Sequence, residues 1–399
     1  MKSRLTQAAA SSALAIGLAS SALFSVALAQ DEEAANTDPR PAEIMPRAPF
    51  ELLLDVRPRG EAGYVAVGAR GHILLSADGT EWKQVPSPVR ANLNAVEFVD
   101  AENGWAVGHA ATILHTSDGG QTWNVQHFDP ELETPFLDVA FLDQDRGFAV
   151  GAYDLFYVTE DGGQTWEEYP DPLSAGEWHL NSIARLGNGD LVIAGETGLL
   201  TRSQDGGETW ELIEGPYTGT YFGVKAMGET GAILYGLRGH AFVTNDLTTA
   251  KVLPPDTDLG YQFKKPPTMT DDNEGSDGSD AEDPEQEAAE KVVEESTEKK
   301  KEALAEAERK QAEEQAKQTA WEVVDNEPSV LSLLGATTTR DGGYVIVGIN
   351  GVIWGSDDSS AEVEQLPNSR EGGLTAVTER PDGNLIMVGE AGAFLYKRP

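Results

Sequence analysis

The 399-residue chain contains no cysteine. That absence excludes disulfides, thiolate metal sites, a cysteine nucleophile and a lipid-modified cysteine at a processing site. Histidine is scarce, at six residues, and leaves little room for a His-rich metal centre. Basic residues are few: 29 Lys and Arg stand against 67 Asp and Glu, a formal charge of −38. A fold-wide nucleic-acid surface is excluded, because phosphate recognition needs a positive patch. Contact with anionic lipid headgroups is disfavoured for the same reason. Beyond residue 29, no run approaches the roughly 20 apolar residues that span a bilayer. Glycine, at 42 residues, is abundant.

The first 29 residues read as an address. Lys2 and Arg4 precede an uncharged Ala-, Ser- and Leu-rich stretch from Ala8, which ends in Ala27-Leu28-Ala29. A basic start, an apolar middle and small residues at the last and third-last positions mark a secretory signal peptide. The competing reading is a membrane anchor, which the weakly hydrophobic Ala/Ser content and the cleavable tripeptide disfavour. The expectation is a periplasmic or secreted protein, with no direct membrane insertion after cleavage.

Self-similarity organises the rest. Segments 63–82, 104–123, 147–166 and 190–210 align almost without gaps, and weaker copies occupy 231–251, 343–363 and 384–399. Their anchor glycines are Gly68, Gly108, Gly151, Gly195, Gly236, Gly348 and Gly389, at spacings of 40, 43, 44, 41, 112 and 41. Each unit reads as four short strands. In the second, these are 94–99, 104–107, 112–116 and 122–127, β-branched and aromatic runs divided by Gly, Asp and Asn. Four strands per 40–45 residues, repeated seven times, predict an all-β fold: a seven-bladed β-propeller of the WD40/YVTN-like kind. The expected organisation is a signal peptide over 1–29 and a linker with a possible closing strand over 30–49. Blades one to five fill 50–254, an acidic insertion 255–320, and blades six and seven 321–399. The last unit ends after its third strand, so its fourth must come from elsewhere. Residues 42–49 are one source, despite Pro41 and Pro46, and 321–324 are another.

The turn between third and fourth strands carries the sharpest motif. It reads Thr116-Ser-Asp118-Gly-Gly-Gln-Thr-Trp123, Thr159-Glu-Asp161-Gly-Gly-Gln-Thr-Trp166 and Ser203-Gln-Asp205-Gly-Gly-Glu-Thr-Trp210. Blade one has the shorter Ser76-Ala-Asp78-Gly-Thr-Glu-Trp82. The Asp carboxylate can accept N–H groups of its own turn, Gly tolerates positive φ, and the Trp ring covers apolar surface between blades. The motif resembles the Asp-box, or bacterial neuraminidase repeat. The larger pattern, Ala-Val-Gly, then Gly-x-Ile-Leu, then the Asp box, resembles the photosystem II assembly/stability factor family and its relatives in non-photosynthetic bacteria. That resemblance covers 50–250 well and 330–399 loosely. It implies a seven-bladed propeller acting as an assembly chaperone without catalysis or cofactor.

Asp boxes also occur in sialidases, which clamp the sugar carboxylate with an arginine cluster. Here Arg57, Arg70, Arg238 and Arg340 do not share one repeat position, and no convergence follows. One carboxylate per turn lacks the several oxygens a Ca²⁺ site needs, so no metal site is expected. His72 and His240 share the context Arg-Gly-His in units one and five and read as edge-strand surface residues. The residues after the anchor glycines, namely Arg70, His109, Tyr153, Glu196, Arg238, Asn350 and Glu390, are candidates for a partner-binding face at a channel mouth. They are unlike one another, as a protein-binding surface can be.

Within the insertion, 271–280 has a disordered composition, and 284–318, rich in Glu, Lys, Ala and Gln, reads as a solvated helix. The function expected is a non-enzymatic exported scaffold that assists an envelope or membrane protein complex. The alternative is a sialidase-like or other glycoside hydrolase, or a carbohydrate-binding propeller.

Overall fold

The computed structural model describes residues 39–169, 173, 178–254, 306–307, 310, 321–324 and 331–399. They form seven antiparallel sheets, six of four strands and one of three, each in simple up-and-down order. The first strands are Leu53–Pro58, Leu93–Phe98, Phe136–Phe141, Leu180–Arg185, Tyr221–Met227, Leu333–Thr338 and Leu374–Glu379. Each touches the first strands of the blades before and after it, blade seven against blade one included, so the ring closes around them.

The second strands explain why the apolar runs are continuous. Tyr64–Gly68, Gly104–Gly108 and Tyr344–Gly348 are buried at every position, because both sheet faces pack against neighbouring blades. The core is accordingly divided into seven slabs, one in each seam between adjacent blades. Val65, Ile73, Val96 and Leu114 share the seam of blades one and two, and Leu53, Tyr64, Ile386 and Val388 that of blades seven and one.

The anchor glycines sit where the second strand meets a bulge at the start of the first. Gly68, Gly108 and Gly389 pair with Leu53, Leu93 and Leu374, and the register shifts immediately afterwards. In all seven blades a Cβ at this glycine would collide with the carbonyl oxygen of the residue before the first strand.

Two expectations about chain ends are corrected. Residues 42–49 do not complete blade seven, which has three strands among the described residues. They run along the seam instead. Ala42 donates to Ser87 O at 3.0 Å, Met45 N–H to Gln84 Oε1 at 2.7 Å, and Pro49 O accepts from Ala393 N–H at 3.0 Å. Ala48 is fully buried among Leu53, Val56 and Val388. Pro41, Pro46 and Pro49 lack the donors a ladder needs, so the segment wedges rather than pairs.

Residues 321–324 belong to blade five, not to blades six and seven. Glu322–Val323 is its fourth strand, pairing Val323 with Phe242 and Glu322 with Val243. The insertion therefore interrupts blade five between its third and fourth strands, where the first four blades carry their Asp-box turns. Of the stretch read as helix, Glu306, Ala307 and Lys310 are described; they are helical, and Lys310 donates to Glu306 at 2.6 Å. The remainder of the insertion and the segment read as a signal peptide lie outside the described residues.

Candidate functional site: one face of the ring and its channel

Because successive strands alternate in direction, the starts of the first strands and the turns between second and third strands share one face. The seven candidate residues all lie in those turns. Arg70, Tyr153, Arg238 and Asn350 occupy the left-handed position of a three-residue turn, with φ of 58°, 55°, 58° and 55°. His109, Glu196 and Glu390 directly follow their anchor glycines. Left-handed backbone costs a non-glycine residue about 1 kcal/mol or more. It persists here because the turn is tied both to its own blade and to the next: Ala69 N–H donates to Leu52 O of blade one, and Arg70 N–H to Asn92 Oδ1 of blade two at 2.9 Å.

The seven share a face without acting as one cluster. Glu196 accepts from the His179 N–H at 3.1 Å and lies 2.7 Å from its Nδ1, and the His179 ring packs on Tyr153 with centroids 4.6 Å apart. Glu390 accepts from Gly373 N–H at 3.0 Å. Two large apolar side chains stand exposed here, Phe50 at 65% and Tyr153 at 63%, with Leu132 beside the turn of blade two.

The Asp boxes lie on the opposite face. Asp118 Oδ1 accepts from Thr122 N–H at 2.9 Å and from Thr116 Oγ1 at 2.9 Å; its Oδ2 accepts from Thr122 Oγ1 at 2.6 Å. Gly120, at φ +83°, donates its N–H to Thr116 Oγ1 at 2.9 Å. Asp161 and Asp205 repeat this pattern, and Asp78 ties the shorter turn through Thr80. Both carboxylate oxygens are thus spent inside the turn. The tryptophans of the motif each enter a blade seam: Trp82 between blades seven and one, Trp123 between one and two, Trp166 between two and three, and Trp210 between three and four.

The turn bonds predict an acid limb in stability. The Thr209 hydroxyl, followed by its amide, holds the Asp205 carboxyl down at about 2, from an ordinary 3.8. A lowered carboxylate contributes in full above its ordinary value, and the contribution is lost as pH falls through the folded-state value. Asp205→Asn should therefore lower the urea midpoint near neutrality, and its deficit against wild type should shrink between pH about 4 and about 2. A deficit constant with pH would remove the carboxylate from the account.

One sequence reading of side chains fails. His72 and His240 are not surface residues but 1% and 7% exposed. Both ring nitrogens of His72 are buried without a hydrogen-bond partner, and burial lowers its pKa. His240 stacks on Tyr217 with centroids 4.3 Å apart. Each caps a second-to-third-strand turn, a position that equivalent blades fill with apolar residues such as Leu199 and Val352, so packing won over polarity. The four arginines weighed as a clamp are dispersed, in keeping with their unequal repeat positions. Arg57 is in the channel and Arg70 and Arg238 are on turns of blades one and five. Arg340 is on the opposite face, donating to Pro381 O.

What sequence reading missed is the charged lining of the channel at the ring's axis, a cavity of about 350 Å³ bounded by the first strands. Two buried carboxylates work as clasps between blades. Asp55 accepts from Val56 N–H at 2.8 Å and, across the seam, from Val96 N–H at 3.1 Å. Asp138 accepts from Val139 N–H at 2.9 Å, Ile183 N–H at 3.0 Å and Ser182 Oγ at 2.8 Å. At the register two residues beyond that of Asp55 and Asp138 stand Arg57, Glu97 and Lys225, on the first strands of blades one, two and five, where the other blades have Ala or Thr. Arg57 Nε donates to Asp55 at 3.1 Å. Burial pushes the Glu97 carboxyl up to about 7, against the pull of Arg57. The Arg57 cation, with burial, brings Lys225 down to about 8. The three charges sit on three blades with no repeat signal, so only an alignment of the first strands could have shown them.

Among the described residues no group of three or more His, Asp and Glu is placed to hold a metal ion, and no helix is long and apolar enough to cross a membrane.

Blade count, turn chemistry and seam tryptophans define the class: a seven-bladed Asp-box propeller. Residues 74–136 and 125–252 match the family model for the photosynthesis system II assembly factor YCF48. The chain is 33% identical over 60 residues to the photosystem II assembly protein Ycf48 of Thermosynechococcus vestitus, a match spanning 15% of this chain and 17% of that protein. The matched segments thus span less than a fifth of such relatives. A solved YCF48 bound to a D1 peptide superposes over 90% of this chain and 96% of its own, with TM-score 0.54 and 16% identity. A streptogramin B lyase structure superposes over 89% and 96%, with TM-score 0.59 and 10% identity. At such identities the superpositions show the fold alone. The chain is a propeller resembling the photosystem II assembly factors, and the family-model match falls in blades one to five.

Proposed function

We propose that this protein is an exported, non-catalytic scaffold that holds a polypeptide segment of an envelope or membrane protein complex during that complex's assembly or function. The observation that carries this reading is the match of residues 74–252 to the assembly-factor model. A propeller of the same fold solved with a D1 peptide supports a polypeptide partner. The binding face proposed is the one carrying the second-to-third-strand turns, where Phe50, Leu132 and Tyr153 expose apolar surface. Exposed aromatic side chains are common anchors of protein interfaces.

A carbohydrate-active reading needs a pair of reactive carboxyl groups. In the channel Asp55 and Asp138 are committed to backbone N–H groups of the next blade, which favours an architectural use.

Affinity purification of the tagged full chain from cross-linked host envelopes tests the proposal. Recovery of a stoichiometric membrane protein is expected, with a loss of at least tenfold for Phe50→Ala/Tyr153→Ala and none for Glu160→Ala on the opposite face. Recovery of the chain alone, or glycoside turnover abolished by a channel substitution, would overturn it.

A further inference from the structure

We propose that the central channel is a binding site for a small oxyanion, a phosphate or a carboxylate, held between the guanidinium of Arg57 on blade one and the ammonium of Lys225 on blade five. Blades one and five are not neighbours in a ring of seven, so the two cations approach the axis from different sides. They stand at the same register of their first strands, opposite Val65 and Ile233, and both line the cavity of about 350 Å³.

The two Nη groups of Arg57 and the Nζ of Lys225 are uncommitted among the described residues. Arg57 gives its Nε to Asp55, but neither of its Nη atoms has a partner among the described residues. Lys225 Nζ has neither hydrogen bond nor ion pair among them, although the side chain is half-buried. Buried or half-buried charges in folded proteins are normally paired, and one left without a partner calls for an explanation. The obvious internal acceptors are already occupied, since Asp55 and Asp138 are satisfied by backbone N–H groups and the Ser182 hydroxyl.

The charged groups acting on Lys225 are Arg57, Asp55, Glu97 and Asp138, and Tyr235 and Arg185 line the same cavity. With all of them counted, its ammonium is disfavoured, chiefly by Arg57, which describes a position where negative charge is welcome. Glu97 does not compete as a permanent counter-ion. Burial raises its pKa, which weakens it as a counter-ion, and its protonated form can donate to a bound oxyanion. The acidity of the outer surface acts weakly on this site, because exposed charges are screened beyond about 8 Å at physiological salt. Small side chains at the same register, Ala140, Ala184, Thr337 and Thr378, leave the anion its space.

The test is calorimetric titration of the full chain with sodium phosphate and, separately, sodium succinate, at fixed ionic strength with chloride as reference. At least one ion should bind saturably, and Lys225→Met should weaken that binding at least tenfold while leaving the unfolding midpoint within error of wild type. At pH about 8, succinate binding should be accompanied by net proton uptake, because an anion beside Lys225 restores its charge. Phosphate binding alone marks an inorganic ligand, and succinate binding alone marks a carboxylate; either supports the site. Should neither ion bind beyond chloride, or should Lys225→Met bind as wild type, the site does not exist. A Lys225→Met chain that fails to fold is replaced by Lys225→Gln, for which the same loss is expected.

Discussion

Gly108→Ala is expected to destabilise the ring by about 3 kcal/mol or more, although it adds a single methyl group. The new Cβ would sit on the Asn92 carbonyl oxygen and 2.8 Å from Leu93 Cα, both backbone atoms that no rotamer change can move aside. The backbone at Asn92 cannot retreat either, because Asn92 O accepts from His109 N–H at 2.9 Å and its side chain holds the Arg70 turn of blade one. A urea midpoint measured beside Gly189→Ala separates close approach from conformational strain. Gly189 has φ of +94° but open space around its Cβ direction, so its substitution should cost only about 1 kcal/mol. Equal losses at the two sites would show that crowding at the bulge is not what fixes the anchor glycine.

Asp138→Ala should remove about 3 kcal/mol, because it leaves the buried Ile183 N–H and Ser182 hydroxyl without an acceptor in the seam of blades three and four. Asp138→Asn should lose less: one carbonyl oxygen survives, while the amide turns a donor toward a donor on the other side. Burial raises the Asp138 pKa, so the neutral isostere also escapes part of the desolvation penalty. Hydrogen exchange should place the extra opening at 180–185. Uniform loosening of all seven blades in Asp138→Ala, with no local excess at that seam, would contradict the clasp.

The parts that could be read in advance are those written repeatedly. Gly68 through Gly389 recur because every blade meets the same bulge, and Asp118, Asp161 and Asp205 recur because every turn of that length needs an acceptor for its own amides. Such constraints are local, so they leave a mark at fixed intervals along the chain. His72 and His240 show where local reading misleads: the Arg-Gly-His string looks polar, yet the ring occupies a slot that other blades fill with leucine or valine. Residues 321–324 were ambiguous for a related reason. A two-residue strand carries little pattern, and only its pairing with Phe242 and Val243 assigns it to blade five.

The amino-acid order by itself determined the number of blades, the four-strand unit and the chemistry of the corner turns, since each is set by contacts within some forty residues. The tertiary structure alone decided how residues 42–49 pack, which blade receives the chain after the insertion, and that Arg57, Glu97 and Lys225 share one axis. Closing a ring brings together side chains from blades far apart in the chain, and a charge used once leaves no periodic trace to read.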